Sequence, residues 1–225
     1  MAFEKQVDVS HYAFAKYYSK ERWSSIWHQI DEVLKFDPKS VLEVGGGLDV
    51  FKHSMSCFDV SVTSVDIAED LRPDIVGSIV NLPVKDNSFD VTCAFQVLEH
   101  LPFDHFLKGL KELKRVARSA FVVSLPDAKP VYPVSICLPK LGKKQFLFPK
   151  PFVNYKKMCM LWEHKWEVNR PGYEMSRILE IFNQLGTADV HTYRVNTHPY
   201  HRFFIADLRD TNLRNNKLQN SGYVS

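Results

Sequence analysis

The chain has 225 residues, of which 45% are hydrophobic, 13% aromatic and 24% charged, and its formal net charge is +3. That length buries one full core and favours one domain with an insertion over two, the composition excludes a disordered chain, and the small charge excludes a surface that is basic throughout. Cys57, Cys93, Cys137 and Cys159 stand apart with no C-x-x-C pair, which excludes a zinc knuckle or a dense disulfide framework and reads as reduced thiols.

The start, "MAFEKQVDVS", lacks the pattern of a secretory leader, and no apolar run approaches ~18 residues, so a cytoplasmic protein without a transmembrane segment is expected. Residues 1–37 read as an N-terminal helical lid, with Trp23, Ile26, Trp27, Ile30 and Leu34 expected on its buried face and Pro38 ending it. From residue 38 to 127, the runs "SVLEV", "SVTSVDI", "DIVGSI", "FDVTCAF" and "SAFVVSLP" read as strands separated by helical patterns. The segment "FDHFLKGLKELKRVA" carries Phe103, Phe106, Leu110, Leu113 and Val116 on one stripe. Near-continuous apolar strands alternating with helices predict an α/β fold with a mainly parallel wound sheet covered on both faces.

Residues 128–171, rich in proline, aromatics and lysine, read as an irregular insertion after the fifth strand. Residues 172–210 then supply a helix, "GYEMSRILEIFNQLG", with Gly186 as its C-terminal cap, and two runs, "ADVHTYRVN" and "YHRFFIADLR", that predict an antiparallel hairpin at the sheet edge. The polar tail 211–225 is expected to be loose. The whole of 1–210 is expected to be a single domain.

Bare backbone directly after a first strand and before a helix is where a wound fold receives a ligand, because the turn is sharp and no Cβ intervenes. "VLEVGGGLDVF" has that form, but Val50 stands where a dinucleotide fingerprint needs its third glycine, and no P-loop lysine follows. Asp66 ends the second strand nineteen residues after Gly47, the spacing of a carboxylate that takes ribose hydroxyls.

With these residues in view, "VLEVGGG" resembles the first motif of class I S-adenosylmethionine-dependent methyltransferases. "DIVGSIVNLPVKDNSFDVTCAFQVLEHLPFDHF" is similar to the methyltransferase type 11 pattern, through Gly77, Leu82, Pro83, Ser88, Phe89, Asp90 and the run Val97 to Leu101. The resemblance implies a Rossmann-like seven-stranded sheet, S-adenosyl-L-methionine as cofactor, and cofactor contacts at Glu43, Gly45, Gly46, Gly47, Asp66, Ile67, Ser78, Ile79 and Gln96, with Tyr18 on the lid. Ser78 stands where the family has an acidic residue for the adenine amino group, and Asp49, in place of the motif's last glycine, is expected to cap the following helix.

Methyl transfer to a hydroxyl gains from a base within hydrogen-bond reach of the oxygen, and histidine suits that task near neutral pH. His100 and His164 are the catalytic candidates, His164 with Trp162 and Trp166 around it in "WEHKWE". Glu99 is expected to receive a backbone or arginine hydrogen bond, and His198 and His201 are expected at a turn and surface, so no metal ligand set is read.

Residues 128–170 hold nine Lys or Arg against two Glu, with Phe146, Phe148, Phe152, Tyr155, Trp162 and Trp166 among them, which reads as a basic, aromatic cap over an acceptor. A small-molecule or glycan acceptor, such as a lipid-linked sugar hydroxyl, stands first, since "EHKWEVNRPGY" and "NTHPYHRFFI" resemble a group of bacterial and archaeal methyltransferases associated in part with surface polysaccharides. RNA stands second, and a non-catalytic S-adenosylmethionine-binding scaffold keeps a place through Ser78 and Asp49. Oligomeric state is left open.

Overall fold

A computed structural model describes residues 18–140, 142–153, 163–187 and 190–209. The expected tail 211–225, and Tyr155 and Trp162 of the expected cap, lie outside the described residues.

Seven strands form one sheet in the order β3-β2-β1-β4-β5-β9-β8. Strands β1 (Ser40–Val44), β2 (Ser61–Asp66), β3 (Ile75–Val76), β4 (Phe89–Phe95) and β5 (Ala117–Pro126) run parallel. The final hairpin, β8 (Val190–Val195) and β9 (His198–Asp207), adds antiparallel to β5. Strand β5 is buried over nearly its whole length, because helices cover both faces and leave no side of it for water. The alternation read from the sequence therefore produces the expected wound sheet.

One face is covered by helices α3 (Phe106–Val116) and α4 (Met175–Asn183), the other by α1 (Lys20–Leu34) and α2 (Val50–Ser56). Helix α3 buries Phe106, Gly109, Leu110, Leu113 and Val116, the expected stripe without its first member, Phe103, which lies in a preceding 3₁₀ turn. Phe182 of α4 stacks on Phe204 and Phe121, with ring centroids 5.0 and 6.1 Å apart, so a helix and two strands share one aromatic column.

Two expectations are corrected here. Of the face expected on α1, Ile26 is buried and Ile30 and Leu34 pack half-buried on the core, but Trp23 and Trp27 are 44% and 60% exposed, and Ser25, Gln29, Glu32 and Val33 are buried in their place. The tryptophans lie more than about 100° round the helix from the buried face, since α1 meets the C-terminal hairpin through small and polar side chains: Ser25 Oγ to His198 Nδ1 at 2.9 Å and His28 Nδ1 to the Tyr193 hydroxyl at 3.0 Å. Second, the stretch read as irregular holds a regular hairpin, β6 (Val131–Leu138) paired with β7 (Gly142–Pro149), outside the main sheet. Pro133, Pro139 and Pro149 obscured it, but a two-stranded ribbon has free edges on both sides and tolerates proline there.

That hairpin exposes Tyr132, Ile136, Leu138, Phe146 and Phe148, and residues 128–153 carry five lysines and no acid. It rests on the β8–β9 turn, where Gln145 donates to Asn196 and Asn196 donates to the Phe146 carbonyl, both at 3.2 Å. Beyond it the chain returns to the core at Trp166, fully buried, whose indole N–H donates to the Leu101 carbonyl at 3.1 Å.

Candidate active site

The register Val44↔Val65 and Val44↔Ala94 brings the carboxyl ends of β1, β2 and β4 side by side. The loop after β1 starts at Gly45, which has φ +77 and donates its N–H to the Val65 carbonyl at 2.8 Å. A Cβ at Gly45 would lie 2.4 Å from Val97 Cγ2, so glycine is needed here for a close approach to the loop after β4 as well as for its backbone angle. Gly47 also has positive φ, +59.

Glu43 lies beneath this loop at 4% exposure, with Oε2 making no hydrogen bond and 3.0 Å from where a Cβ on Gly46 would sit. Burial, with Asp49 nearby, pushes its carboxyl up to about 8. Asp49 does not cap α2 as expected. It sits at the N-cap position in a left-handed conformation that turns its carboxylate away from the helix N–H groups, and pairs with Lys52 at 3.7 Å.

Asp66 is half-buried at the end of β2, and burial raises its carboxyl. Its Oδ1 accepts the Ala68 N–H at 2.8 Å. Ile67 beside it is exposed, Ser78 forms an isolated bridge with Asn81, and Gln96, at φ 59, donates its side-chain amide to Ser124 Oγ at 3.2 Å. The structure thus gathers Glu43, the three glycines, Asp66 and Gln96 at adjoining strand ends. Ile79 is spent otherwise, its side chain being 3% exposed in the core, and the Tyr18 ring packs on Trp23 at 5.9 Å. Asp90, in the matched "SFD", serves the opposite end of the sheet, where it accepts from the Lys39 and Ser40 N–H groups, both at 2.9 Å.

The structure also joins His100 and His164, with ring centroids 5.0 Å apart. His100 Nδ1 is 3.1 Å from the Glu163 carbonyl, which requires that nitrogen to donate. His164 Nδ1 is 3.1 Å from Glu167 Oε1, which also accepts from the Tyr200 hydroxyl at 2.5 Å, while Arg170 holds the other Glu167 oxygen at 3.0 Å. Both imidazoles therefore carry the proton on Nδ1 and leave Nε2 as the basic nitrogen.

Glu99 departs from expectation. It is fully buried, neither carboxylate oxygen makes a hydrogen bond of normal geometry, and burial pushes it up to about 8. The surface placement of His198 and His201 is also corrected. His201 is 1% exposed and His198 is half-buried against α1, with ring centroids 4.0 Å apart, because β9 is inserted between β5 and β8 and has little free face. Burial lowers His201 well below its ordinary value and His198 to about 4. Sequence reasoning missed the partners Glu167, which is buried, and Tyr200, which is half-buried; their signal is the i, i+3 spacing of His164 and Glu167 beside a hairpin tyrosine.

Among known proteins, residues 42–122 match the family model described as a methyltransferase domain. An uncharacterized protein of Methanocaldococcus jannaschii is 31% identical over 103 residues, 42% of this chain and 44% of that one, so the match spans less than half of this relative. A SAM dependent methyltransferase from Archaeoglobus fulgidus superposes with a TM-score of 0.61 at 14% identity, over 89% of this chain and 100% of that one. A 1,6-didemethyltoxoflavin-N1-methyltransferase of Burkholderia thailandensis, solved with 1,6-didemethyltoxoflavin and S-adenosylhomocysteine bound, gives 0.50 at 14% identity over 90% and 88%. Residues 42–122 thus match a methyltransferase domain, and the chain has the Rossmann-like fold that these S-adenosylmethionine-dependent methyltransferases share.

Proposed function

We propose that the chain transfers the methyl group of S-adenosylmethionine to a hydroxyl oxygen of a small molecule or glycan. The observation that carries this reading is the cradle of Glu43, Gly45–Gly47 and Asp66: a buried carboxylate oxygen lacking a hydrogen bond beneath a glycine turn, with a second carboxylate at the next strand end. Asp66, whose Oδ1 already serves Ala68, offers its other oxygen to the ribose. Glu43 offers a negative partner to the amino end of the donor, and ionises when that cation arrives.

In the transfer, the acceptor oxygen forms a bond to the methyl carbon as the carbon–sulfur bond breaks, S-adenosylhomocysteine leaves, and the hydroxyl proton passes to a base. The protein aligns the three atoms and keeps water out. His100, in the turn after β4, and His164, in the stretch that returns beside it after the β6–β7 hairpin, lie at the carboxyl end of β4, next to which β1 ends in the cradle, and are the residues to hold that proton. The lid and cap boundaries, 1–37 and 128–171, are assigned on the same reading.

The exposed β6–β7 hairpin, aromatic and basic, favours RNA as the second acceptor class. Calorimetric titration with S-adenosylmethionine, with S-adenosylhomocysteine, and with NADH as control tests the donor. Micromolar binding of the first two and none of the third is expected, and no binding of either would sink the reading. Methyl transfer assayed on sugars, small hydroxylated molecules and single-stranded RNA then separates the acceptors. RNA binding that fails to weaken steeply with salt removes RNA, and cofactor binding without transfer to any acceptor supports the scaffold.

A further inference from the structure

We infer that Glu99, His100 and His164 form a site for one divalent first-row transition-metal ion. The three residues present a carboxylate oxygen and two imidazole nitrogens that all lie within 4.8 Å of one another. Donors sharing one tetrahedral ion at about 2.1 Å stand about 3.4 Å apart, so side-chain movements of up to about 1.4 Å close the set.

Two further observations point to a cation here. Glu99 is fully buried with both oxygens lacking a hydrogen bond of normal geometry, and a buried carboxyl without donors is costly unless something positive completes it. Each histidine has its Nδ1 engaged, His100 by the Glu163 carbonyl and His164 by the Glu167 carboxylate. That leaves Nε2 of each ring as the ligand nitrogen, the outer-shell pattern of metal-bound histidine. Two imidazoles and one carboxylate suit a transition ion rather than calcium or magnesium, which take oxygen ligands. The ligands come from the turn after β4 and from the stretch returning after the β6–β7 hairpin, so the ion would pin the two segments together.

The inference deepens the proposed transfer and rests on it only for the consequence. A nitrogen that binds the ion cannot also take a proton, so with the ion bound the imidazoles would serve as ligands in place of bases, the metal would lower the pKa of the acceptor hydroxyl, and its proton would leave to solvent water before the methyl group is transferred.

The test is titration of the chelator-treated full chain with Co2+, followed by its visible ligand-field absorption, with Zn2+ as competitor and S-adenosylhomocysteine binding measured on the same samples. One Co2+ per chain, displaced by Zn2+ and weakened at least tenfold in both Glu99→Gln and His164→Asn, is expected, with binding unchanged in the exposed-site control His191→Asn. Glu99→Gln is nearly isosteric, and a melting temperature no lower than the wild type's with unchanged S-adenosylhomocysteine affinity shows that it has folded. No Co2+ spectrum in the wild type overturns the inference and assigns Glu99 to the nearby Arg22 charge. Undiminished Co2+ binding in both variants overturns it too, placing the ion on other histidines. Loss of S-adenosylhomocysteine binding with Co2+ binding intact refutes the transferase reading and leaves the metal site standing.

Discussion

Replacing Glu43 by glutamine makes the cost of the buried carboxylate measurable. The unfolded chain releases this proton near 4.5, whereas the folded chain holds it to about 8. Between those values the native state binds more protons than the unfolded one, so stability falls as pH rises, by up to about 1.4 kcal/mol per unit. The loss is absent below the unfolded value and complete above the folded one. At pH 7 the pH lies 2.5 units above 4.5, which gives a penalty of about 3 kcal/mol.

Glutamine does not ionise in either state. Glu43→Gln should therefore match the wild type near pH 4 and exceed it by roughly 6–12 °C in melting temperature at pH 7, at 2–4 °C per kcal/mol for a chain of this size. Thermal melts of both proteins from pH 4 to 8 check this, and Glu99, which titrates in the same window, cancels in the difference. Two melting curves that stay parallel across the range would show that Glu43 is ionised in the free protein, and the argument would fail. The same variant should bind S-adenosylmethionine more weakly, since it lacks the charge that faces the donor.

Asp66→Ala should lower affinity for S-adenosylhomocysteine roughly 10- to 100-fold, the worth of hydrogen bonds to a charged acceptor, and an unchanged affinity by calorimetry would remove Asp66 from the site. Gly45→Ala should cost about 2–4 kcal/mol in urea unfolding, from its φ of +77 and a Cβ 2.4 Å from Val97; adding Val97→Ala should recover only the steric part. Asp127→Ala should cost about 3–5 kcal/mol, since Asp127 is 2% exposed and takes Arg202 at 2.8 Å, with Arg194 at 3.6 Å. Asp127→Asn should cost less in the same unfolding experiment, because it keeps an acceptor for one guanidinium.

The parallel strands and the glycine turn after the first of them were legible in the chain, because both are local. Strand periodicity, the glycine turn and the residue count from Gly47 to Asp66 are set by the lengths of one strand, one turn and one helix. The sequence placed His100 and His164 as candidates but not as neighbours, for 63 residues separate them and only the returning stretch at Trp166 closes that distance. Tertiary packing decided that Trp23 and Trp27 face outward: the apolar residues of α1 share one stripe about 120° wide, and the helix is turned so that only its edge, Ile26 and Val33, is buried, together with Ser25, Gln29 and Glu32. It also decided that Asp49 leaves α2 uncapped, through a left-handed backbone that residue type does not dictate. The burial of Glu99, His198 and His201 was likewise illegible in the chain: a polar residue reads as exposed until the strands and helices around it are in place, and only their arrangement turns Glu99, His100 and His164 into one cluster.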